Sequence, residues 1–405
     1  MLAAIRAAEK GADVLLLEKN GSIGHKLLLT GKGRCNLTNA KGWTEFSRHL
    51  HPKPNFLKCA FYNFPNTATV EFFENECGVE TVLTRGDRIF PKTMMSKTVV
   101  DGLLRCLKEK GVKVEYNCDV LKVERSSDGL FNVTVVNTPQ SQMKGREYVA
   151  RCVVVATGGL SYPSTGSTGR GYDIAGSFGH EVVECFPSLT ALTPQNYDLR
   201  LEGIDLVNVS ATLYIDNNIA ADEFGDLSFT DGGIEGPIGF RLSRNAVKAM
   251  RNGSRVELVI DLKPAVSLDT FSARVAKEAA ALKLPQNPDR QRLKALLRKF
   301  VPAQLVEPFL DANREITVQN MPLKLKEWRF KIVDYVGYRR AVVTAGGVST
   351  EEVNSKTMGS KYVPGLFFAG EVLDIDGDTG GYNLQVAFST GVLAADSAVK
   401  YLSKE

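Results

Sequence analysis

The sequence predicts an α/β fold: a Rossmann-like parallel sheet interrupted by an inserted, barrel-like antiparallel β region that carries a small helical subdomain. Three observations predict it. Short continuous apolar runs, each next to glycine, occur at 12–18, 151–159 and 365–371, as strands buried on both faces of a parallel sheet do. From about 188 to 347 the pattern changes to alternation, at 207–216, 255–262 and 330–345, which marks antiparallel strands. Within that span 268–313 reads as helical, with Leu293, Leu296, Leu297 and Phe300 on one face. The expected division gives 1–187 and 348–405 to the parallel-sheet domain, 188–267 and 314–347 to the β insertion, and 268–313 to the helical subdomain.

In chain order, residues 1–10 are good helix formers with Leu2, Ile5 and Ala8 at helical spacing, closed by Gly11. The strand at 12–18 ends in Glu18. Helix, glycine turn, strand and terminal acid compose the second half of a dinucleotide-binding βαβ unit, whose acid accepts a hydrogen bond from a ribose hydroxyl. The first strand and G-x-G-x-x-G loop of such a unit do not precede Met1. The expectation is that this form lacks the glycine-loop donors for a pyrophosphate, leaves 14–17 with an unpaired edge, and binds a dinucleotide weakly. Residues 31–39, Gly-Lys-Gly-Arg-Cys-Asn-Leu-Thr-Asn, combine two glycines, two cations and two amides in a backbone suited to close ligand approach. Lys26 stands where a Walker loop needs glycine, so that loop is excluded. A β-meander is expected over about 112–149, from runs at 112–116, 120–124 and 131–136 with Asp128-Gly129 as a hairpin turn. A small-residue-rich helix is expected from Gln385 to 399.

Composition narrows the chemistry. The chain has 405 residues, 43% of them hydrophobic, and 50 Lys+Arg against 46 Asp+Glu give +4 at pH 7. So small an excess makes no basic face, and no nucleic-acid partner is expected. Arg290, Arg292, Lys294, Arg298 and Lys299 read as a solvated outer helix face. Seven scattered cysteines without a C-x-x-C pair read as reduced cytosolic thiols. No apolar run is long enough for a membrane span and no signal peptide is evident, which places the protein in the cytoplasm without membrane association. His25, His49, His51 and His180 match no metal-ligand spacing, so no metal is expected. Gly169-Arg170-Gly171 followed by Ile174 breaks the dinucleotide fingerprint, so no second nucleotide domain is expected.

The motifs then become specific. Glu18-Lys19, the Thr-Gly-Lys-Gly-Arg-Cys-Asn-Leu-Thr-Asn stretch at 30–39, Val-Val-Val-Ala-Thr-Gly-Gly at 153–159, the Ser-Tyr-Pro-Ser-Thr-Gly stretch from 161, and Gly-Leu-Phe-Phe-Ala-Gly-Glu through Gly-Asp-Thr-Gly-Gly-Tyr-Asn-Leu-Gln at 365–385 resemble one family. It is the bacterial FAD-containing oxidoreductases called aminoacetone-oxidase-like or HI0933-like flavoproteins. The resemblance implies a FAD-binding domain of the glutathione-reductase type, with a barrel and helical insertion covering the flavin. It assigns Glu371 to the ribityl and pyrophosphate region, with Gly370 and Asp374 beside it. It brings Asp378, Gly380, Gly381, Tyr382, Asn383 and Leu384 to the flavin N1/C2=O edge, where a helix N-terminus offers free N–H groups. Gly31, Gly33, Arg34, Cys35 and Asn36 are implied to lie against the isoalloxazine, Glu18 and Lys19 at the adenosine, Val120 at the adenine edge, and Ala156, Thr157 and Gly158 along the cofactor. As a plain strand valine, Val120 would look the same.

Cys35 reads as a small buried hydrophobe, because no second cysteine lies near enough for disulfide chemistry. Arg34, Asn36, Tyr162, Thr230 and Asp231 are candidates for substrate contact. No obligatory catalytic side chain is expected, since flavin N5 itself exchanges hydride. The function expected is hydride transfer between FAD and a small or hydrophobic organic substrate, with NAD(P)H, where it acts, docking transiently in the substrate cleft. The alternatives are a small-amine oxidase using oxygen and a non-catalytic or tRNA-associated flavoprotein.

Overall fold

The computed structural model describes residues 1–137, 145–285 and 288–404. The chain forms two compact units, Met1–Phe186 with Val342–Glu405, and Pro187–Ala341.

The first unit holds the parallel ladders. The helix Leu2–Glu9 ends before Gly11, whose φ of 88° turns the chain into the strand Leu15–Leu17. That strand pairs in parallel with Lys113–Glu115, and Val153–Val155 pairs in parallel with Leu366–Phe368. Leu366 and Phe368 are wholly buried, whereas Leu15 is 37% exposed and Leu16 and Leu17 are half-buried. The expectation that 12–18 is buried on both faces is therefore corrected. A strand is sealed only when flanked and covered, and among the described residues Leu15–Leu17 is paired along one edge alone.

The meander is also shifted. Its strands are Cys118–Arg125, Phe131–Asn137 and Arg146–Ala150, and the apolar run at 112–116 belongs to the parallel ladder instead. An inner part of the expected meander, 138–144, lies outside the described residues. Likewise the run at 330–345 divides: Trp328–Tyr335 joins the second unit's barrel, while Val343–Val348 pairs with Val182–Ser188. Alternation alone does not say which sheet a strand enters.

The closing helix of the first unit, Tyr382–Leu402, begins three residues earlier than its periodicity predicts. Its Val386, Val392 and Ala395 are buried, and the Leu2–Glu9 helix lies along it, with Arg6 and Lys10 both paired to Asp396 at 2.8 and 2.9 Å.

The second unit is a closed six-stranded antiparallel barrel, in the order Leu192–Pro194, Gly233–Glu235, Asn218–Thr230, Asp205–Ile215, Val256–Asp261 and Trp328–Tyr335. Leu213, Leu227, Phe229, Ile234 and Leu258 are among its fully buried side chains. The helix Gly236–Arg251, buried through Ile238, Leu242, Ala246 and Val247, was not legible because Gly236-Pro237 and Gly239 read as a turn. Leu268–Ala281, Arg290–Leu297 and Val306–Ala312 form the helical part. Its basic face is answered in part from within: Arg290 pairs with Glu307 and Asp311, Lys294 with Glu307, and Arg292 with Asp289 at 3.7 Å. No described helix is long and apolar enough to cross a membrane.

Candidate functional site

The site is built in the first unit around the glycine turn that opens the Tyr382–Leu402 helix. Gly380 and Gly381 have φ of 131° and 98°, conformations that glycine adopts without strain. At Gly381 a Cβ would stand 2.4 Å from the carbonyl carbon of Thr38, so the turn lies directly on the Thr38–Asn39 strand. Asn39 Nδ2 donates to Gly380 O at 3.1 Å, and Thr38 Oγ1 donates to the buried Gln385 Oε1 at 2.6 Å. Asn383 closes the turn from within. Its Oδ1 accepts from Gly377 N at 2.7 Å, and its Nδ2 donates to Gly377 O and Asp378 O. Tyr382 is buried, stacked on His49 with ring centroids 4.4 Å apart. The side chains of Tyr382 and Asn383 are thus spent on shaping the turn. What this segment can offer a ligand is the row of first-turn amides from Tyr382 to Leu384, which have no acceptor within the helix.

Two residues before the glycines, Asp378 is gripped by two imidazoles: His49 Nδ1 at 2.8 Å from Oδ2 and His51 Nε2 at 3.4 Å from Oδ1. Burial pushes its carboxyl up, but the hydrogen bonds from the two rings outweigh this and hold it below the ordinary aspartate value. The Leu50–His51 strand pairs with Asp376–Gly377, which fixes the rings against the turn.

Glu371 lies just past the Leu366–Phe368 strand. Its Oε2 pairs with Lys26, and its Oε1 accepts from Thr344 N at 2.8 Å. Thr344 Oγ1 in turn accepts from Leu160 N and Ser161 N at 2.8 and 3.0 Å. This chain of contacts locks the loop after Val153–Val155, which contains Ala156, Thr157 and Gly158, to Glu371. The Gly370 amide is likewise used internally, donating to Thr390 Oγ1 at 2.9 Å, and Asp374 is buried with its N–H on Val348 O.

A second group gathers at the end of Leu15–Leu17. Glu18 Oε1 accepts from both Asn20 N and Asn20 Nδ2 at 2.8 Å. Lys19 bridges Asp119 Oδ2 at 3.2 Å and Thr168 Oγ1 at 3.1 Å, next to Val120 and its β-bulge. The structure thus brings Glu18, Lys19 and Val120 together. It likewise sets the glycine turn on Thr38–Asn39, just after Arg34, Cys35 and Asn36 in the chain, and Glu371 on Lys26, a few residues before them. Thr230 and Asp231 lie in the other unit, where Asp231 pairs with Arg340 at 2.6 Å. Tyr162 takes a left-handed φ of 54° at the start of the Pro163–Thr165 turn.

Within the 30–36 loop, Gly31, Lys32, Gly33 and Cys35 all have φ between 56° and 82°. Arg34 reaches back to Gly31 O and lies 5.3 Å from the Phe90 ring centroid. Cys35 is fully buried, and burial pushes its thiol up to about 12, against an opposing hydrogen bond from Thr30. At pH 8 roughly one such thiol in ten thousand is ionised. Mass mapping after brief iodoacetamide treatment is therefore expected to find Cys59, which is exposed, modified and Cys35 untouched until denaturant is added.

Sequence reasoning missed Lys26, Thr344, His49, His51 and Gln385. The two histidines at 49 and 51, so close in the chain, were the available signal, although His49 closes the short helix Ser47–His49 and only His51 lies in the strand Leu50–His51; the partners of Lys26 and Thr344 are too remote in sequence to give one. Among the described residues no group of three or more His, Cys, Asp or Glu is placed to hold a metal ion.

The donor set fits a flavin dinucleotide. Asn36 Oδ1 is buried with no hydrogen-bond partner among the described residues, an acceptor suited to an N–H edge such as that of an isoalloxazine. The first-turn amides of the glycine turn supply the complementary donors.

Comparison with known proteins agrees with this fit. The chain is 30% identical to a 3-dehydro-bile acid delta(4,6)-reductase of Clostridium scindens, over 99% of this chain and 96% of the relative. It is 31% identical to a ribosomal RNA dihydrouridine synthase of Haemophilus influenzae, over 98% and 94%. Among solved structures, a 3-ketosteroid delta1-dehydrogenase from Sterolibacterium denitrificans shares the fold, with a TM-score of 0.53 at 12% identity over 98% of this chain and 97% of that one. The description "HI0933-like protein Rossmann domain" matches residues 1–397, and the chain belongs to this HI0933-like family of flavin-binding Rossmann proteins, an FAD-dependent oxidoreductase by class.

Proposed function

We propose that this protein reduces a carbon–carbon double bond conjugated to a carbonyl. The observation that carries the reading is that two relatives of near-equal identity, each matched over almost its whole length, share that chemistry. One is named for reducing a bile-acid enone, and the other for making dihydrouridine, whose parent uracil holds its double bond next to a carbonyl. FAD supplies hydride exchange at N5.

The chain's own residues bind and orient. The amides of Tyr382 to Leu384, set by Gly380 and Gly381, receive the pyrimidine edge of the flavin, and Asn36 Oδ1 accepts from the same ring. Glu18 holds the ribose of the adenosine half, with Lys19 and Val120 beside it. Glu371, Gly370, Asp374, Ala156, Thr157 and Gly158 border the middle of the cofactor. Gly31 and Gly33 keep the backbone close, and Arg34, with Tyr162, faces the substrate side. A nicotinamide serves as the transient reductant.

A small organic enone is favoured over RNA because 50 Lys+Arg against 46 Asp+Glu leave a net charge of only +4, too small an excess to make a basic face. The test is anaerobic. Protein showing a flavin absorption spectrum is bleached with NADH, then mixed with a conjugated steroid enone, the matching saturated ketone or unmodified ribosomal RNA; a separate sample of the oxidised protein is mixed with aminoacetone and then exposed to air. Reoxidation by the enone alone is expected. Reoxidation by RNA and not by the enone would move the substrate to uridine, and turnover of aminoacetone with oxygen would replace the reading with amine oxidation.

A further inference from the structure

We propose that His51 takes up a proton when the flavin is reduced, its ring held by Asp378 behind the glycine turn so that the added positive charge faces the negative charge gained by the cofactor. This rests on the reading that the amides of Tyr382 to Leu384 meet the flavin.

The two imidazoles are not equivalent. His49 Nδ1 points to Asp378 Oδ2, and its Nε2 lies 3.4 Å from Lys41 Nζ. An ammonium only donates, so Nε2 of His49 accepts and its single proton sits on Nδ1, donated to Asp378. Both nitrogens of that ring are thus engaged. His51 also turns one nitrogen to the carboxylate, Nε2 at 3.4 Å from Oδ1, but its Nδ1 meets no group among the described residues and the side chain is 35% exposed. His51 therefore has an open nitrogen, access to solvent protons, and a carboxylate to stabilise the imidazolium. Imidazole is the side chain that changes charge in the physiological range.

The cluster is rigidly tied to the turn. Asp378 N donates to His49 O at 2.9 Å, His51 pairs across strands with Asp376, and Asn383 binds both Gly377 O and Asp378 O. The other charged groups near it are Lys41 beside His49, Asp376 across the strand pair, the buried Asp374, and Lys53, which is paired with Glu351. None of them donates to His51 Nδ1 in place of solvent.

The balance is simple. Reduction by dithionite delivers two electrons to FAD, one proton from solvent goes to N5, and negative charge remains at the N1/C2=O edge. A second, fractional proton passes from solvent to His51 Nδ1, because that negative charge makes the imidazolium more favourable than before reduction.

The experiment uses the full chain carrying FAD, confirmed by its spectrum, titrated anaerobically with dithionite in weak buffer containing a pH indicator between pH 5.5 and 8. Wild type is expected to bind on the order of half a proton more per two electrons than His51→Asn at the pH of greatest difference. His51→Lys, which carries a fixed charge, is expected to lose the extra uptake and to leave the flavin more readily reduced than in wild type at pH 8, judged against a reference dye at the same pH. Both variants leave the His49 stack on Tyr382 in place, and their melting curves check that they fold. Equal uptake in wild type and His51→Asn, both holding FAD, overturns the proposal alone. Failure of folded wild type to take up FAD overturns the flavin reading and this proposal with it.

Discussion

Replacing Gly381 with alanine is expected to destabilise the first unit by about 3 kcal/mol or more and to abolish retention of FAD. The residue has φ of 98°, and its new methyl would stand 2.4 Å from Thr38 C and 2.5 Å from Thr38 O. Left-handed strain in a non-glycine residue costs about 1–3 kcal/mol. The clash adds to it because Thr38 cannot retreat: its strand is paired to Ile89 and its hydroxyl is bonded to Gln385. Urea unfolding reads the change as a lower midpoint at unchanged slope. Gly391→Ala in the same helix is the control of opposite sign. There the Cβ meets nothing nearer than 3.7 Å, and helix propensity is expected to add up to about 1 kcal/mol of stability. A Gly381→Ala variant as stable as wild type would show that the turn does not need its glycine.

The second large effect is expected from Gln385→Leu, at about 2–4 kcal/mol. Gln385 is fully buried, accepts from Thr38 Oγ1 and Thr69 Oγ1 at 2.6 and 2.9 Å, and donates to Phe64 O and Ser389 Oγ at 3.1 and 2.9 Å. Leucine fills much of the same space and satisfies none of them. Thr69 has Pro65 O as a second acceptor and Phe64 O keeps its bond from Ser389, so the heaviest cost falls on Thr38. Double replacement of Thr38 by Val and Gln385 by Leu is expected to recover part of the loss, since both ends of the broken bond are then apolar. No recovery in thermal unfolding would place the cost in packing instead.

Legibility in the sequence followed how local each interaction is. The Leu2–Glu9 helix, its glycine stop and the strand after it are set by neighbours within a few residues, and periodicity found them. The two glycines of the turn announced a special backbone, and the structure gives each a positive φ. Burial was less legible: the run at 12–18 reads as sealed on both faces, although the same reading expects an unpaired edge at 14–17, and among the described residues Leu15–Leu17 is paired along one edge alone. The alternation of Val343–Val348 matched an inserted sheet as well as it matched its real partner, Val182–Ser188. At the site, Tyr382 and Asn383 were read as ligand contacts from their motif. Only the fold shows their side chains bracing the turn against His49 and Gly377, which leaves the backbone as the contact surface.

The first unit is written in two pieces, Met1–Phe186 and Val342–Glu405, and this imposes an order on its birth at the ribosome. The strand Val153–Val155 is made long before Leu366–Phe368, its parallel partner, and the Leu2–Glu9 helix long before Asp396 can anchor it. At typical elongation rates the barrel and helical insertion take on the order of ten seconds to synthesise. Throughout that interval the nascent amino-terminal half carries an uncovered apolar strand edge, and the barrel itself can close only once its last strand, Trp328–Tyr335, has been made. A chain that stalls within the insertion is therefore left with the edge of Val153–Val155 unpaired, a template for association with other chains.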